Sequence, residues 1–176
     1  MGLIGCHLLP TSMGMEQLRM RPEQAMRDLR TWLSVAQDSG ATLLSTTNFA
    51  LARACKVVGG FDLSRVRHVF NGAEPISAGV CRRFCQLSGL PESVHIPMYG
   101  LAEATVGVAA HRTGGLETRA VEGGERVVIG ALLPELQARI QGGELQLRGP
   151  NVFERYWQDA DATAQAFEDG WLKTGD

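Results

Sequence analysis

Apolar positions along the chain switch between two periods. Over residues 22–39, Ala25, Met26, Leu29, Trp32, Leu33 and Ala36 recur at helical spacing. They predict one amphipathic helix, with Pro22 in its first turn and Gly40 as its stop. The apolar run 41–45 predicts a short buried strand. Thr46, Thr47 and Asn48 then offer capping oxygens for a helix over 49–58 that ends at Gly59-Gly60. A second strand is predicted over 66–70, followed by the loop NGAEP at 71–75. Ser77 suits the start of a third helix, with Val80, Phe84 and Leu87 as its apolar face and Gly89 as its end. A third strand follows over 94–98, and residues 105–110 continue apolar. Residues 1–10 read as a buried, strand-like segment, and residues 11–20 as a polar connection.

This alternation of strand and helix with short connections predicts an α/β fold with a doubly wound parallel sheet. Ligands of such sheets bind beyond the carboxyl ends of the strands. Three loops occupy such ends: Thr46-Thr47-Asn48, NGAEP and YGLAEAT at 99–105. After Gly114 the texture changes. Leu136, Ala138 and Ile140 alternate, Gly142-Gly143 makes a turn, and Leu145 and Leu147 alternate again, predicting a β-hairpin with one buried face. A short helix is expected near 162–167, then a run over 171–173 into Thr174-Gly175-Asp176. The expected division is an α/β sheet subdomain over 1–113, carrying the site loops, and a small antiparallel β subdomain over 114–176.

Composition narrows the function classes. The 176 residues suffice for a sizeable core, and 44% apolar with 20% charged residues is ordinary for a globular protein. A formal net charge of −2 without a basic cluster argues against a nucleic-acid backbone or an anionic membrane as main partner. The start, MGLIGCHLL, is too short to span a bilayer and lacks a charged leader, so the expected compartment is the cytoplasm. The four cysteines, Cys6, Cys55, Cys81 and Cys85, form no CxxC pair. Cys81 and Cys85 share a helix face and are expected to be buried thiols rather than metal ligands.

The candidate chemistry centres on PMYGLAEAT at 97–105. Tyr99 offers a flat face for a nucleobase, an interaction worth about 1–3 kcal/mol. Gly100 allows close backbone approach. Glu103 is a hard oxygen ligand of the kind Mg²⁺ takes alongside phosphate oxygens. The same residues also fit a core tyrosine and a solvated glutamate. In NGAEP, Gly72 and Ala73 leave backbone groups free to meet a flat ligand, or simply make a strand-to-helix turn. Asp176 could accept ribose hydroxyls or be merely solvated.

NGAEP, YGLAEAT, GELQLRGPNVFERYW and DGWLKTGD occur in this order. Together they resemble the adenylate-forming superfamily of acyl-CoA synthetases, peptide-synthetase adenylation domains and luciferases, over nearly the whole chain. MGLIG, TTNFALA, FNGAEP and YGLAEAT are most similar to fatty acyl-AMP ligases. The resemblance implies ATP and Mg²⁺ as cofactors, a fatty or other carboxylic acid as substrate, and a carrier-protein thiol or CoA as acceptor. It implies that Tyr99 stacks on adenine, with Gly72, Ala73 and Glu74 along the adenine edge. Glu103 would hold Mg²⁺ in the catalytic centre, Asp176 the ribose, and Asn48 and Phe49 would border the acyl tunnel.

The departures matter as well. Ala102 stands where many relatives carry threonine. The insertion that follows YGLAEAT in fatty acyl-AMP ligases is shortened or absent here, which leaves carrier protein and CoA both open. The phosphate loop is expected upstream of Met1, and a lysine-bearing C-terminal domain after Asp176. The expectation is therefore a central piece that does not turn over by itself. The alternatives are an acyl- or aryl-CoA ligase, an amino-acid adenylation domain, and a degenerate, non-catalytic binding module. Asp38 and Asp62 sit at no predicted strand end, which counts against an ammonium pocket.

Overall fold

A computed structural model describes residues 2–111 and 113–176. The start of the chain is helical, not a strand. Residues Ile4–Leu8 form a wide turn in which the Leu8 amide donates to the Leu3 carbonyl at 2.9 Å, and they run into α1 (Leu9–Ser12). Leu3, Leu8 and Leu9 are exposed. A strand needs a neighbour for its backbone groups, whereas a helix satisfies them internally. Met1 lies outside the described residues.

The helix predicted over 22–39 is two helices, α2 (Pro22–Arg27) and α3 (Leu29–Asp38). Asp28 separates them with extended backbone, and its carboxylate accepts from the Arg30 amide at 2.9 Å. An aspartate that caps a new helix outcompetes continuation of the old one. Met26 is accordingly exposed, while Leu29, Leu33 and Ala36 are buried.

β1 (Leu43–Thr46), β2 (His68–Asn71) and β3 (His95–Tyr99) lie parallel in that order. The crossovers are α4 (Asn48–Ala54), capped by the Thr47 hydroxyl on the Ala50 amide, and α5 (Ala78–Ser88), capped by Ser77 on Val80. The two helices pack on each other. Leu33, Leu51, Val58, Val69 and Phe84 form the heart of the core they share with the sheet. The buried face of α5 is rotated from the predicted one. Ala78, Cys81, Phe84 and Cys85 point inward, and Leu87 is exposed.

Burial pushes the Cys81 thiol up to about 11 and the Cys85 thiol to about 12, so both are neutral and inert. All four cysteines are free, and Cys81 and Cys85 are buried, as expected of that pair.

β4 (Ala109–Ala110) turns back antiparallel along β3. β5 (Thr118–Val121) and β6 (Gly124–Val127) make a hairpin tied to α5 by Arg82 and Glu125 at 2.9 Å. β7 (Ala131–Leu132) completes the five-stranded sheet beside β4. A separate antiparallel sheet has the order β10-β11-β9-β8, from β8 (Gln137–Gln141), β9 (Glu144–Arg148), β10 (Phe167–Glu168) and β11 (Trp171–Lys173). α6 (Ala160–Ala166) precedes β10 and is capped by Asp159.

Leu136 and Leu147 meet Ala104 and Val108 in a second, smaller core. The predicted buried face of the hairpin is covered only in part. Leu147 is sealed, but Ile140, next to the Gly142-Gly143 turn, lies beyond this core and is 70% exposed. The architecture is thus a mixed α/β fold, a parallel-sheet core joined to antiparallel sheets. Among the described residues no helix is long and apolar enough to cross a membrane.

Candidate functional site

The loops after β1 and β2 are fastened to each other. The Ser77 amide donates to Asn48 Oδ1 at 2.9 Å, and the Phe49 amide donates to Glu74 Oε1 at 2.5 Å. Asn48, Phe49 and Glu74 therefore form one polar junction, with the Phe49 ring largely exposed. Ala73 takes a φ of 70°, a left-handed conformation that costs a non-glycine residue energy. At Gly72 a Cβ would lie 2.8 Å from the Met98 carbonyl oxygen. Only glycine lets the NGAEP loop lie against β3.

β3 ends at Tyr99, half-buried against the second core. The chain then folds back tightly. The Val106 amide donates to the Leu101 carbonyl at 3.0 Å, and the Val108 amide to the Tyr99 carbonyl at 2.9 Å. A Cβ on Gly100 would stand 1.8 Å from the Val106 carbonyl oxygen. Thr105 and Val106 have φ of 50° and 87°. Such backbone costs about 1–3 kcal/mol per residue and persists only where its surroundings enforce it.

The surroundings here are the segment after β9. Asn151 Nδ2 donates to the Ala104 carbonyl at 3.0 Å and to the Gly107 carbonyl at 2.8 Å. The Thr105 hydroxyl donates to the Asn151 carbonyl at 2.7 Å, and the Phe153 amide to the Glu103 carbonyl at 2.7 Å.

Two carboxylates stand at this end of β3, each against a phenol. The Tyr99 hydroxyl donates to Asp176 Oδ2 across 77 residues of sequence. Burial, and secondly this bond to a carboxylate, push the Tyr99 phenol up to about 12. The Tyr156 hydroxyl donates to Glu103 Oε1 at 2.7 Å, and that bond raises the Tyr156 pKa. The Thr174-Gly175-Asp176 segment is held on β9. The Leu145 amide donates to the Asp176 carbonyl at 2.8 Å, and the Gly175 amide to Glu144 Oε1 at 2.8 Å.

The arrangement thus brings Tyr99 and Asp176 into direct contact, sets Gly72 against β3, and joins Asn48 and Phe49 to the NGAEP loop. Tyr156 and Asn151 belong to the site but received no role from sequence. The cue available was a tyrosine and an asparagine inside GELQLRGPNVFERYW that fit no apolar period. A half-buried glutamate with one oxygen steadied by a phenol fits Mg²⁺ bound mainly by phosphate oxygens.

The sequence pattern of the AMP-binding enzyme family matches residues 1–157. The chain belongs to the AMP-binding enzyme family. Among curated relatives, atromentin synthetase invA1 of Paxillus involutus is 28% identical over 99% of this chain and 21% of its own length. Among solved structures, the fatty acyl-adenylate ligase of L. pneumophila, in complex with acyl adenylate and pyrophosphate, superposes with a TM-score of 0.89. It is 27% identical, over 100% of this chain and 39% of that one. The adenylation domain of a keto acid-selecting NRPS module, bound to keto acyl adenylate, also scores 0.89, at 25% identity over 99% of this chain and 39% of that domain chain. This AMP-binding chain therefore spans about a fifth to two fifths of the length of such relatives. Its fold is that of the N-terminal domain of adenylate-forming enzymes.

Proposed function

We propose that this chain is the central part of an ATP-dependent, acyl-adenylate-forming ligase that activates a fatty acid as acyl-AMP. The observation that carries the reading is the contact between the Tyr99 hydroxyl and Asp176, which gathers a flat ring and an acidic group at the end of β3. In this reading the Tyr99 ring stacks on adenine, and Asp176, steered by the Tyr99 hydroxyl, accepts from the ribose hydroxyls. Gly72, Ala73 and Glu74 border the adenine edge, and Gly100 lets the backbone close in. Asn48 and Phe49 border the acyl chain.

In the first step a carboxylate oxygen of the acid bonds to the α-phosphorus of ATP. The bond from that phosphorus to the bridging oxygen breaks, and pyrophosphate leaves. In the second, a thiolate attacks the acyl carbon and AMP leaves. Mg²⁺ held by Glu103 would offset the charge that builds on the phosphates. The chain's own contribution is positioning, and catalysis of phosphoryl and adenylyl transfer rests largely on positioning and electrostatics. The thiol is proposed to belong to a carrier protein.

The test is ATP–pyrophosphate exchange by the whole enzyme with a fatty acid as co-substrate. Glu103→Ala is expected to lower exchange at least about a hundredfold while leaving fatty-acid binding within about twofold. Equal loss of both would make the role of Glu103 structural. A second reading, a keto acid in place of the fatty acid, is favoured by the equal superposition on the keto acid-selecting domain. Exchange supported by such an acid and not by a fatty acid would establish it. Absence of exchange with every acid tried would leave the non-catalytic module.

A further inference from the structure

The strap of residues 149–157 grips Glu103 twice. The Phe153 amide holds its carbonyl at 2.7 Å, and the Tyr156 hydroxyl holds its carboxylate at 2.7 Å. We infer that Tyr156 is the positioning residue for Glu103, fixing one carboxylate oxygen so that the group faces the metal–nucleotide position in one orientation. The inference rests on the reading of Glu103 as the Mg²⁺ ligand, and it assigns a role to a residue outside the motif that carries the ligand.

Three observations support it. First, the phenol is itself anchored. The Tyr156 amide donates to Thr163 Oγ1 at 3.0 Å, and that hydroxyl donates to the Asp159 carbonyl at 2.6 Å. The Tyr156 ring meets Phe153 edge-on at 4.7 Å, and Phe153 stacks on Phe167 at 5.4 Å. The hydroxyl therefore reaches Glu103 from a scaffold built by α6 and β10, not from a free side chain.

Second, the donor is neutral. Among the described residues the ion pairs join Arg82 to Glu92 and to Glu125, and Glu103 takes part in none. A phenol orients a carboxylate and leaves its negative charge for a cation, whereas a guanidinium would compensate that charge. An ionised carboxylate offers about four lone-pair sites, so one bond to Tyr156 leaves room for metal coordination.

Third, the loop that carries Glu103 is strained. Thr105 and Val106, two and three residues on, hold left-handed backbone, and the same strap supplies the Asn151 bonds that keep it so. Loop shape and carboxylate orientation thus come from one segment. Outer groups that orient a metal ligand typically contribute 10- to 100-fold in metal affinity. Tyr156 is 37% exposed, so water competes for the bond and the lower end applies.

The test uses the whole enzyme with Mn²⁺ replacing Mg²⁺, and free Mn²⁺ read by electron paramagnetic resonance in the presence of ATP. Tyr156→Phe is expected to weaken Mn²⁺ binding about tenfold, with metal-free ATP affinity and thermal midpoint unchanged. In turnover the same variant should raise the KM for Mg²⁺ while kcat at saturating Mg²⁺ changes little. Unaltered Mn²⁺ binding in Tyr156→Phe, alongside clear weakening in Glu103→Ala, would overturn the role of Tyr156 and leave the site reading intact. Unaltered binding in both variants would overturn the metal assignment of Glu103 and this inference with it. A loss of metal-free ATP affinity or of thermal midpoint that matches the loss of Mn²⁺ would make Tyr156 structural.

Discussion

His95 and Tyr99 open and close the same five-residue strand, β3, and their surroundings are opposite. His95 is fully buried, with the Phe84 ring edge-on at 6.3 Å and Cys81 beside it. Both neighbours come from the adjacent helix α5, Phe84 holding the ring by packing and the Cys81 carbonyl by a hydrogen bond. Tyr99 meets Asp176 from 77 residues away, beside a loop whose shape depends on single hydrogen bonds. The first end is fixed by volume and burial, which many side chains can supply. The second is fixed by direction, which few can. A strand built this way keeps its register from one end and presents chemistry at the other.

Removing volume at the buried end should have the largest effect. Phe84 is completely enclosed in the main core. Phe84→Ala is expected to cost about 4 kcal/mol of unfolding free energy through lost burial and an unfilled cavity. Urea unfolding of the chain checks this, with the midpoint falling and the slope unchanged. A loss under about 1 kcal/mol would mean that the core closes over the gap, and that the His95 end is not fixed by packing.

At the other end, backbone space should matter more than side-chain volume. Gly100→Ala puts a Cβ 1.8 Å from the Val106 carbonyl oxygen, with backbone on both sides of the clash. The expected cost is about 2–3 kcal/mol, and it should be local. Amide hydrogen exchange over residues 101–108 should rise while α5 stays protected. Gly60→Ala is the matched control, because nothing lies within 4 Å of its added Cβ; it should stay within about 0.5 kcal/mol. Equal effects at the two glycines would show that the turn after Tyr99 is slack rather than forced.

The two ends also differ in how far they were legible. Alternating apolar runs located all three parallel strands and both crossover helices, because burial imposes a period on sequence. The capping roles of Ser77 and of Thr47 followed from hydroxyl chemistry at a helix start. The break at Asp28 did not, since an aspartate within an apolar period reads as a surface position until its capping bond is seen. The N-terminal run was misjudged for a related reason: apolar content reports burial somewhere, not which element will bury it. Leu8 and Leu9 are apolar, helical and exposed. In the site, Tyr99, Glu103 and Gly100 stood out as a short motif. Tyr156, the partner of Glu103, and Asn151, which holds the following turn, did not, because a bond that spans 53 residues, as Tyr156 to Glu103 does, leaves no local pattern.

The smallest expected effect lies in the titration of the buried end. His95 Nε2 sits 3.3 Å from the Cys81 carbonyl, an acceptor only, so Nε2 carries the proton and Nδ1 is a bare acceptor. Nδ1 is buried with no partner, and protonating it would place a charge in the buried surroundings beside Phe84. Burial accordingly holds the His95 pKa below its ordinary value of 6.5, only partly countered by the bond to Cys81. The unfolded chain then binds the proton more readily than the folded one, and stability rises with pH across the interval between the two values. The contribution is complete above about 6.5 and is lost as the pH falls through the lower folded value. Asp62 and Glu125, both held below the usual carboxylate range by hydrogen bonds, act in a separate, more acidic window. The urea midpoint should therefore decline from pH 7.5 to pH 5.5. In His95→Phe, where no proton can be taken up, that decline should vanish even if the repacked core is less stable throughout. A slope that survives the substitution would place the titrating group at another histidine, and would show that the buried end of β3 admits water after all.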